Sequence, residues 1–332
     1  MAELRWNPLL RDWVIIAPKR QGRPVISKEQ CPFCVGSGKV PKDYDVYSFE
    51  NDFSALSQNF SDDPLPSDDA SEVNRSKDAY GKCEVVLYSP EHTASLYQLP
   101  VEHLEKLVGL WIKRFNALKA DKRIKYIYIF ENRGELVGAT MSHPHGQIYG
   151  YSYIPKRAMV EIESCEEYFR TQNTCLICEM LQNELKNRDR IILENDSFAA
   201  FVPFFSECPY GVYVVSKNHR NNLEQFNHQE RSELAGILKD ITGSFDMLFK
   251  YPFPYMMCMQ QGPVNSGDFG AHSHFHIEFF SPMRSERSQK FNAAGETGAW
   301  AHINPTRPEE KALELRRAYR QYKEKEEGEK SM

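Results

Sequence analysis

Ser142-His143-Pro144-His145-Gly146-Gln147 is the stretch from which the fold can be read. On an extended backbone, side chains two residues apart project from the same face, so His143, His145 and Gln147 share one side. A neutral imidazole is a strong metal ligand. It is also a capable nucleophile once its other ring nitrogen is held by a hydrogen bond. A second version, His272-Ser273-His274-Phe275-His276, lies in the second half of the chain. The sequence around the two stretches repeats with them.

The repeat can be followed feature by feature. Cys31-Pro32-Phe33-Cys34 is matched by Cys175-Leu176-Ile177-Cys178. Glu50-Asn51-Asp52-Phe53 follows the first pair at the same interval at which Glu194-Asn195-Asp196 follows the second. An apolar strand then leads to a histidine: Glu84 to Ser89 before His92, and Gly211 to Ser216 before His219. Next comes an amphipathic helix. Its apolar positions are Leu104, Leu107, Val108, Trp111, Phe115 and Leu118 in one half, and Leu234, Ile237, Leu238, Ile241, Phe245 and Leu248 in the other. Both sets fit one face of a 3.6-residue period. A strand follows in each (Lys125 to Phe130, Tyr255 to Met259) and leads into the histidine-rich segment. Matches in this number and order indicate a duplicated domain.

Composition bounds the rest. A chain of 332 residues can hold two domains of about 150 residues, each with its own core. The net charge of -5 argues against a nucleic-acid-binding surface. No apolar run approaches the roughly 18 residues needed to cross a bilayer. Met1-Ala2-Glu3-Leu4-Arg5-Trp6 lacks the apolar core of a signal peptide, so a cytoplasmic protein with no membrane contact is expected. Thiols stay reduced there, and of the eight cysteines the two Cys-x-x-Cys pairs point to zinc rather than to disulfides. Cys83, Cys165, Cys208 and Cys258 read as buried free thiols. Ser57 to Asp78, rich in Ser, Asp and Pro, reads as a mobile insertion. The charged tail from Pro308 onward reads as a solvated surface helix.

Structural zinc takes four thiolate or imidazole ligands in a tetrahedron. Each half supplies a Cys-x-x-Cys pair and a lone histidine after a strand, and the first histidine of the histidine-rich segment completes a set. The expected sites are Cys31, Cys34, His92 and His143, and Cys175, Cys178, His219 and His272. In the second, spacing alone leaves His274 or His276 open in place of His272.

With His143 assigned to metal, His145 is left two residues on and pointing to the same face. A neutral imidazole beside a phosphate can attack in line and form a phosphoramidate, splitting one transfer into two easier steps. Gln147 is an amide and can donate to a phosphate oxygen without competing for a proton. That suits a transferase that must protect a covalent intermediate.

These residues resemble the histidine triad superfamily in its nucleotidyl transferase branch, the galactose-1-phosphate uridylyltransferase family. The resemblance covers most of the chain. Arg5-Trp6-Asn7-Pro8-Leu9, Trp13 to Arg20 and Arg23-Pro24 look like that family's opening, and Glu50-Asn51-Asp52-Phe53 looks like its nucleoside segment. Phe130-Glu131-Asn132-Arg133-Gly134, leading through Gly138 to His143-Pro144-His145-Gly146-Gln147, looks like its catalytic stretch. The resemblance implies that His145 becomes nucleotidylated. It implies that Gln147 and Asn132 meet the α-phosphate, with Gly138 in the same nucleotide-binding stretch. Asn51 and Asp52 would hold base or ribose, and Arg23 would reach a phosphate across a dimer interface. Lys290, Phe291 and Glu296 resemble the part that meets the sugar phosphate.

The implied fold is α+β: two histidine-triad-like halves, residues 1–155 and 156–332, each an antiparallel sheet with flanking helices, fused into one sheet and paired as a homodimer. The implied reaction is ping-pong transfer of UMP from UDP-glucose to a hexose-1-phosphate, galactose-1-phosphate first among them. The bacterial members carry an iron-type second site built from a glutamate and histidines. Glu161 stands at a matching distance from His145, but the second Cys-x-x-Cys makes zinc the expected metal there, with iron as the alternative. The same two-zinc pattern is seen in a related ADP-glucose phosphorylase. A phosphorylase of that type, with inorganic phosphate as acceptor, is therefore the second reading, and a zinc-containing nucleotide-binding module without turnover is the third.

Overall fold

The computed structural model describes residues 2–22, 31–59 and 73–330. In chain order the strands of the first half are β1 (Glu3–Asn7), β2 (Asp12–Ile16), β3 (Tyr47–Glu50), β4 (Ser76–Asp78) and β5 (Gly81–Leu87). Helix α1 (Val101–Lys119), β6 (Tyr126–Arg133) and β7 (His145–Tyr151) complete it. Then come α2 (Lys156–Gln172), α3 (Leu176–Asn187), β8 (Ile191–Glu194), β9 (Phe198–Phe201), β10 (Val212–Ser216), α4 (His228–Phe249), β11 (Tyr255–Gln260) and β12 (His276–Phe280). A short hairpin, β13 (Met283–Ser285) and β14 (Ser288–Gln289), precedes α5 (Ala294–Ala299) and α6 (Pro308–Lys330).

Among the described residues, nine strands form one sheet in the order β3-β5-β7-β6-β11-β12-β10-β9-β8, antiparallel throughout. The order runs outward symmetrically from the β6–β11 pair, where Glu131 lies opposite Met257. The two copies of the repeat therefore share one continuous sheet, as the sequence leads one to expect. The apolar stripes predicted for the helices are buried. Leu104, Leu107, Val108, Trp111, Phe115 and Leu118 of α1 are in the core, as are Leu234, Ile237, Leu238, Ile241 and Phe245 of α4, and Leu248 packs against it. Both helices lie on the sheet face that presents Val86, Ile129, Ile148, Met257 and Ile277. The opposite face of the first half carries Cys83, Val85, Gln147 and Tyr149 and is partly covered by the small β2-β1-β4 sheet.

Two expectations need correction. Pro308 onward is not merely a solvated helix. Ala312, Leu315, Ala318 and Tyr322 of α6 are buried against α4. Their three-to-four-residue spacing is a stripe that the many charged neighbours obscure. The Tyr322 ring comes so close that a Cβ on Gly243 would meet it at 2.6 Å, which accounts for a glycine inside a helix despite its cost of about 1 kcal/mol. Of the insertion over 57–78, Ser76–Asp78 form β4, paired with β1; residues 60–72 lie outside the described residues. No helix among the described residues is long and apolar enough to cross a membrane.

Glu131 departs from the apolar pattern. It follows Ile127 and Ile129 on the helix-facing side, is buried, and meets Tyr255 Oη at 3.3 Å, while its other oxygen has no partner. Burial pushes its carboxyl up to about 7, against the opposing pull of Arg133 and Tyr255. A folded-state value above the unfolded 4.5 means stability present below pH 4.5 and lost as pH rises through about 7, in total about 3 kcal/mol. Glu131→Gln should therefore lose much less stability between pH 5 and pH 8 than the parent does in urea unfolding. Parallel pH profiles for the two proteins would show that the buried carboxyl is not neutral.

Candidate active site and metal centres

His145 is the first residue of β7, opposite Leu87, and Gln147 stands between Val85 on β5 and Phe130 on β6. The alternation expected from the sequence holds. His145 Nδ1 donates to the carbonyl of His143 at 2.8 Å. That fixes the tautomer and makes Nε2 the nitrogen with the lone pair. Gly146 must be small, because a Cβ there would fall 2.1 Å from Tyr88 Oη and 2.9 Å from the Phe130 carbonyl.

Gln147 is oriented by its neighbours. Its Oε1 accepts from Asn51 Nδ2 and from Tyr149 Oη, each at 3.2 Å. With the oxygen engaged twice, the amide nitrogen is the end presented to a ligand. Asn51 is itself fixed, since its Oδ1 accepts from the Phe53 amide at 2.9 Å. Arg20 holds the same turn from behind through the Phe53 carbonyl at 2.9 Å and Tyr149 Oη at 3.3 Å.

Two adjoining cavities meet at His145. One, of about 200 Å³, has apolar walls from Phe33, Phe49, Phe53 and Val85 and a polar end formed by Asn51, Asp52, His145 and Gln147. The other, of about 540 Å³, shares Thr140, Met141 and His145 with it and includes Asn132. Gly138 sits just outside that lining in a left-handed turn with φ 79°, a conformation that favours glycine, and it turns the chain into Ala139–Met141. Arg133 is not available as an anion ligand. Its guanidinium is bound to Asp246 at 2.5 and 2.7 Å and to Ser95 at 2.9 Å.

Other expected site residues lie elsewhere. Lys290 is ion-paired with Glu296, and Phe291 is 56% exposed. None of the three lines either cavity. Arg23 lies outside the described residues. Conversely, the cavities contain residues that the sequence reading passed over: Phe33, Phe49, Lys39, Thr140 and Met141. Their available signal was position, inside the Cys-x-x-Cys pair, on an alternating strand, and just before the His-x-His stretch.

The first expected metal set assembles. Cys31, Cys34, His92 and His143 place their donor atoms within 4.8 Å of one another. Cys34 Sγ lies 3.3 Å from His92 Nδ1 and 3.6 Å from His143 Nδ1, and Cys31 Sγ lies 3.8 Å from His143 Nδ1. The far ring nitrogens are held, His143 Nε2 by the Ser89 carbonyl at 2.8 Å and His92 Nε2 by the Ser142 hydroxyl at 2.9 Å. Burial lowers the pKa of His143, which favours the neutral, ligating form.

The second set is Cys175, Cys178, His219 and His274. His274, not His272, is the ring beside the thiols, at 3.3 Å from Cys178 Sγ and 3.7 Å from Cys175 Sγ, with His219 at 3.5 Å from Cys178 Sγ. The reason is register. In both halves the histidine beside the thiols lies two residues before the strand begins, so His143 before β7 corresponds to His274 before β12. The backbone agrees: His274 Nε2 donates to the Ser216 carbonyl at 2.9 Å, as His143 does to Ser89, and His276 Nδ1 donates to the His274 carbonyl at 3.1 Å, as His145 does to His143. His272 sits in the preceding turn, its amide bonded to the Phe269 carbonyl at 3.3 Å.

By this register His276 and Glu278 are the counterparts of His145 and Gln147. With Glu161 they form a third group of donors within 4.8 Å of one another. Here the cleft is filled. Tyr213 stacks on His276 with centroids 5.5 Å apart, and Glu278 accepts from Tyr213 Oη at 2.6 Å and Gln260 Nε2 at 2.9 Å. The two cavities described above both lie beside His145, in the first half.

Comparison with known proteins covers both halves of the chain. The family model described as galactose-1-phosphate uridyl transferase, N-terminal domain, matches residues 1–155, and its C-terminal counterpart matches residues 161–316. A galactose-1-phosphate uridylyltransferase of Thermotoga maritima is 42% identical over 324 residues, covering 95% of this chain and 98% of its own. That of Saccharomyces cerevisiae is 32% identical, covering 86% of each chain. A solved uridylyltransferase structure superposes with a TM-score of 0.87 at 26% identity, covering 96% of this chain and 99% of its own. The Arabidopsis thaliana ADP-glucose phosphorylase has the same fold, with a TM-score of 0.73 at 24% identity and coverage of 95% and 99%. Matched along nearly its whole length in sequence and in fold, the chain belongs to the galactose-1-phosphate uridylyltransferase family.

Proposed function

We propose that this protein transfers a uridylyl group from UDP-glucose to a hexose-1-phosphate, galactose-1-phosphate first among them, through a covalent intermediate on His145. The observation that carries the reading is that the Nδ1 of His145 is held, which makes Nε2 the lone-pair nitrogen of a ring lining a cavity with an apolar nucleoside-sized end. Nε2 attacks the α-phosphorus, and the bond to the bridging oxygen breaks with its electron pair leaving on glucose-1-phosphate. In the second half-reaction a phosphate oxygen of the acceptor attacks the same phosphorus, and the P–N electron pair returns to Nε2. The Gln147 amide donates to a non-bridging oxygen as charge spreads in the transition state. It cannot serve as acid or base near neutral pH, which limits hydrolysis of the intermediate.

The two Cys₂His₂ sets are assigned to zinc. Zn–S of about 2.3 Å and Zn–N of about 2.1 Å in a tetrahedron put each sulfur about 3.6 Å from each nitrogen, which the observed 3.3 to 3.8 Å separations fit. Zinc in the first set would supply structure, tying the loop that carries Phe33 to the start of β7. The halves 1–155 and 156–332 act as one catalytic unit in a homodimer. Lys290, Phe291 and Glu296, which do not line the His145 cavities of their own chain, are assigned to the acceptor site of a second copy, with Arg23 on the nucleotide phosphates. A cytoplasmic location fits the reduced thiols that this chemistry requires.

Intact mass after mixing with UDP-glucose, and separately with ADP-glucose, tests the reading. One uridylyl group added by UDP-glucose and removed by galactose-1-phosphate is expected. An adenylyl adduct discharged by inorganic phosphate would instead assign a nucleotide-sugar phosphorylase, and no adduct with either would leave a zinc-containing nucleotide-binding module.

A further inference from the structure

We propose that Lys39 is a positioning residue for ribose recognition, holding the Asp52 carboxylate in the orientation that receives the 2′- and 3′-hydroxyls of the nucleotide. The proposal rests on the functional reading above and deepens it. Lys39 lies in the loop beyond Cys34, where Gly36 and Gly38 have φ of 92° and 83° and fold the chain back over the cavity. Its ammonium pairs with Asp52 Oδ2 and lies 4.8 Å from the centroid of the Phe49 ring. Lys39, Phe49 and Asp52 line the same small cavity as His145 and Gln147.

The main chain around Asp52 is already fixed, by Asn51 on Gln147 and by Arg20 on the Phe53 carbonyl. What remains variable is the Asp52 side chain itself, which is 58% exposed and has Lys39 as its ion-pair partner. The ion pair engages Oδ2, which leaves Oδ1 as the oxygen for a ligand to bond. A carboxylate accepts well from vicinal hydroxyls, as acidic residues do from ribose in dinucleotide-binding folds. Stacking on Phe49 keeps the cation from swinging into solvent.

The test compares ribose with deoxyribose. Wild type, Lys39→Ala, Lys39→Arg, Asp52→Ala and the double variant Lys39→Ala/Asp52→Ala are assayed with UDP-glucose and with its 2′-deoxy analogue, following single-turnover adduct formation. Wild type is expected to favour the ribose substrate by about 10- to 100-fold in kcat/KM, the range for a hydrogen bond to a charged group. Lys39→Ala should raise KM for UDP-glucose about 10-fold, barely change KM for the deoxy analogue, and leave the rate at saturation within about 2-fold. Lys39→Arg should recover most of the preference, and the double variant should match Asp52→Ala alone, because the two side chains act as a unit. Equal losses on both substrates, or additive effects in the double variant, would overturn the proposal. Binding of UMP against dUMP reads the same preference without chemistry. If wild type forms no adduct, the functional reading fails, and the UMP/dUMP ratio in wild type and Lys39→Ala still decides the role of Lys39. An unchanged ratio, or no binding of either nucleotide, overturns it.

Discussion

His145→Ala is expected to reduce nucleotidyl transfer by about four to six orders of magnitude, the range seen when a covalent nucleophile is removed from a group that acts as a unit. Both half-reactions pass through Nε2, so neither can proceed without it. No neighbour can substitute. His143 directs Nδ1 at Cys31 and Cys34 and gives its Nε2 proton to the Ser89 carbonyl at 2.8 Å. His276, its nearest structural equivalent, is buried under Tyr213 in the other half. The variant should fold, because His145 is only half-buried and its Nδ1 bonds a carbonyl just two residues away. The measurements are kcat and intact mass after UDP-glucose. His145→Gly supplied with an imidazole-linked nucleotide should regain part of the second half-reaction, since the soluble imidazole replaces the missing ring. Turnover by His145→Ala within about tenfold of wild type would end the covalent mechanism.

Removing the metal should be nearly as damaging, and through stability. Structural zinc in Cys/His peptides contributes about 10 to 16 kcal/mol near neutral pH, as much as the whole unfolding free energy of a typical domain at about 5 to 15 kcal/mol. Elemental analysis of protein purified without added metal should find two zinc ions per chain. Titration with a strong chelator should release both with loss of cooperative thermal unfolding. Cys34→Ser should disrupt the catalytic end, because Cys34 contacts both histidines of its set and the loop that carries Phe33. Cys178→Ser should loosen the opposite end, where Cys175, Ile177, Leu181, Phe201 and Val215 share a small separate core. Because the variants could fail to fold at all, metal release from the wild-type protein is the deciding measurement. Iron in the second set, or full stability after complete metal removal, would refute the zinc assignment.

Much of the molecule is readable before folding, and for identifiable reasons. The helix stripes of α1 and α4, the alternation His143, His145, Gln147 and the two Cys-x-x-Cys pairs are short-range periodic signals, and the chain writes each of them twice. A local signal survives folding because secondary structure has a fixed period. The assignment of His272 failed by two residues because period alone does not say where a strand begins. In His272-Ser273-His274-Phe275-His276 every second residue is a histidine, so shifting the register by one pair leaves the pattern intact. The docking of α6 was obscured for a related reason. Ala312, Leu315, Ala318 and Tyr322 form a weak stripe among charges, and its burial depends on Gly243 in a helix far away in sequence.

By itself, then, the sequence determined the duplication, the α+β class, the nucleophile candidate and seven of the eight residues that the described structure gathers into Cys/His sets. Only the tertiary structure decided the rest. It joined the halves at β6–β11 and chose His274. It tied the Arg133 guanidinium to Asp246, filled the second cleft with Tyr213, and set Lys39 against Asp52. Each of these is a pairing between distant segments, fixed by which groups can be buried together with their charges and hydrogen bonds satisfied, and no local period records that choice.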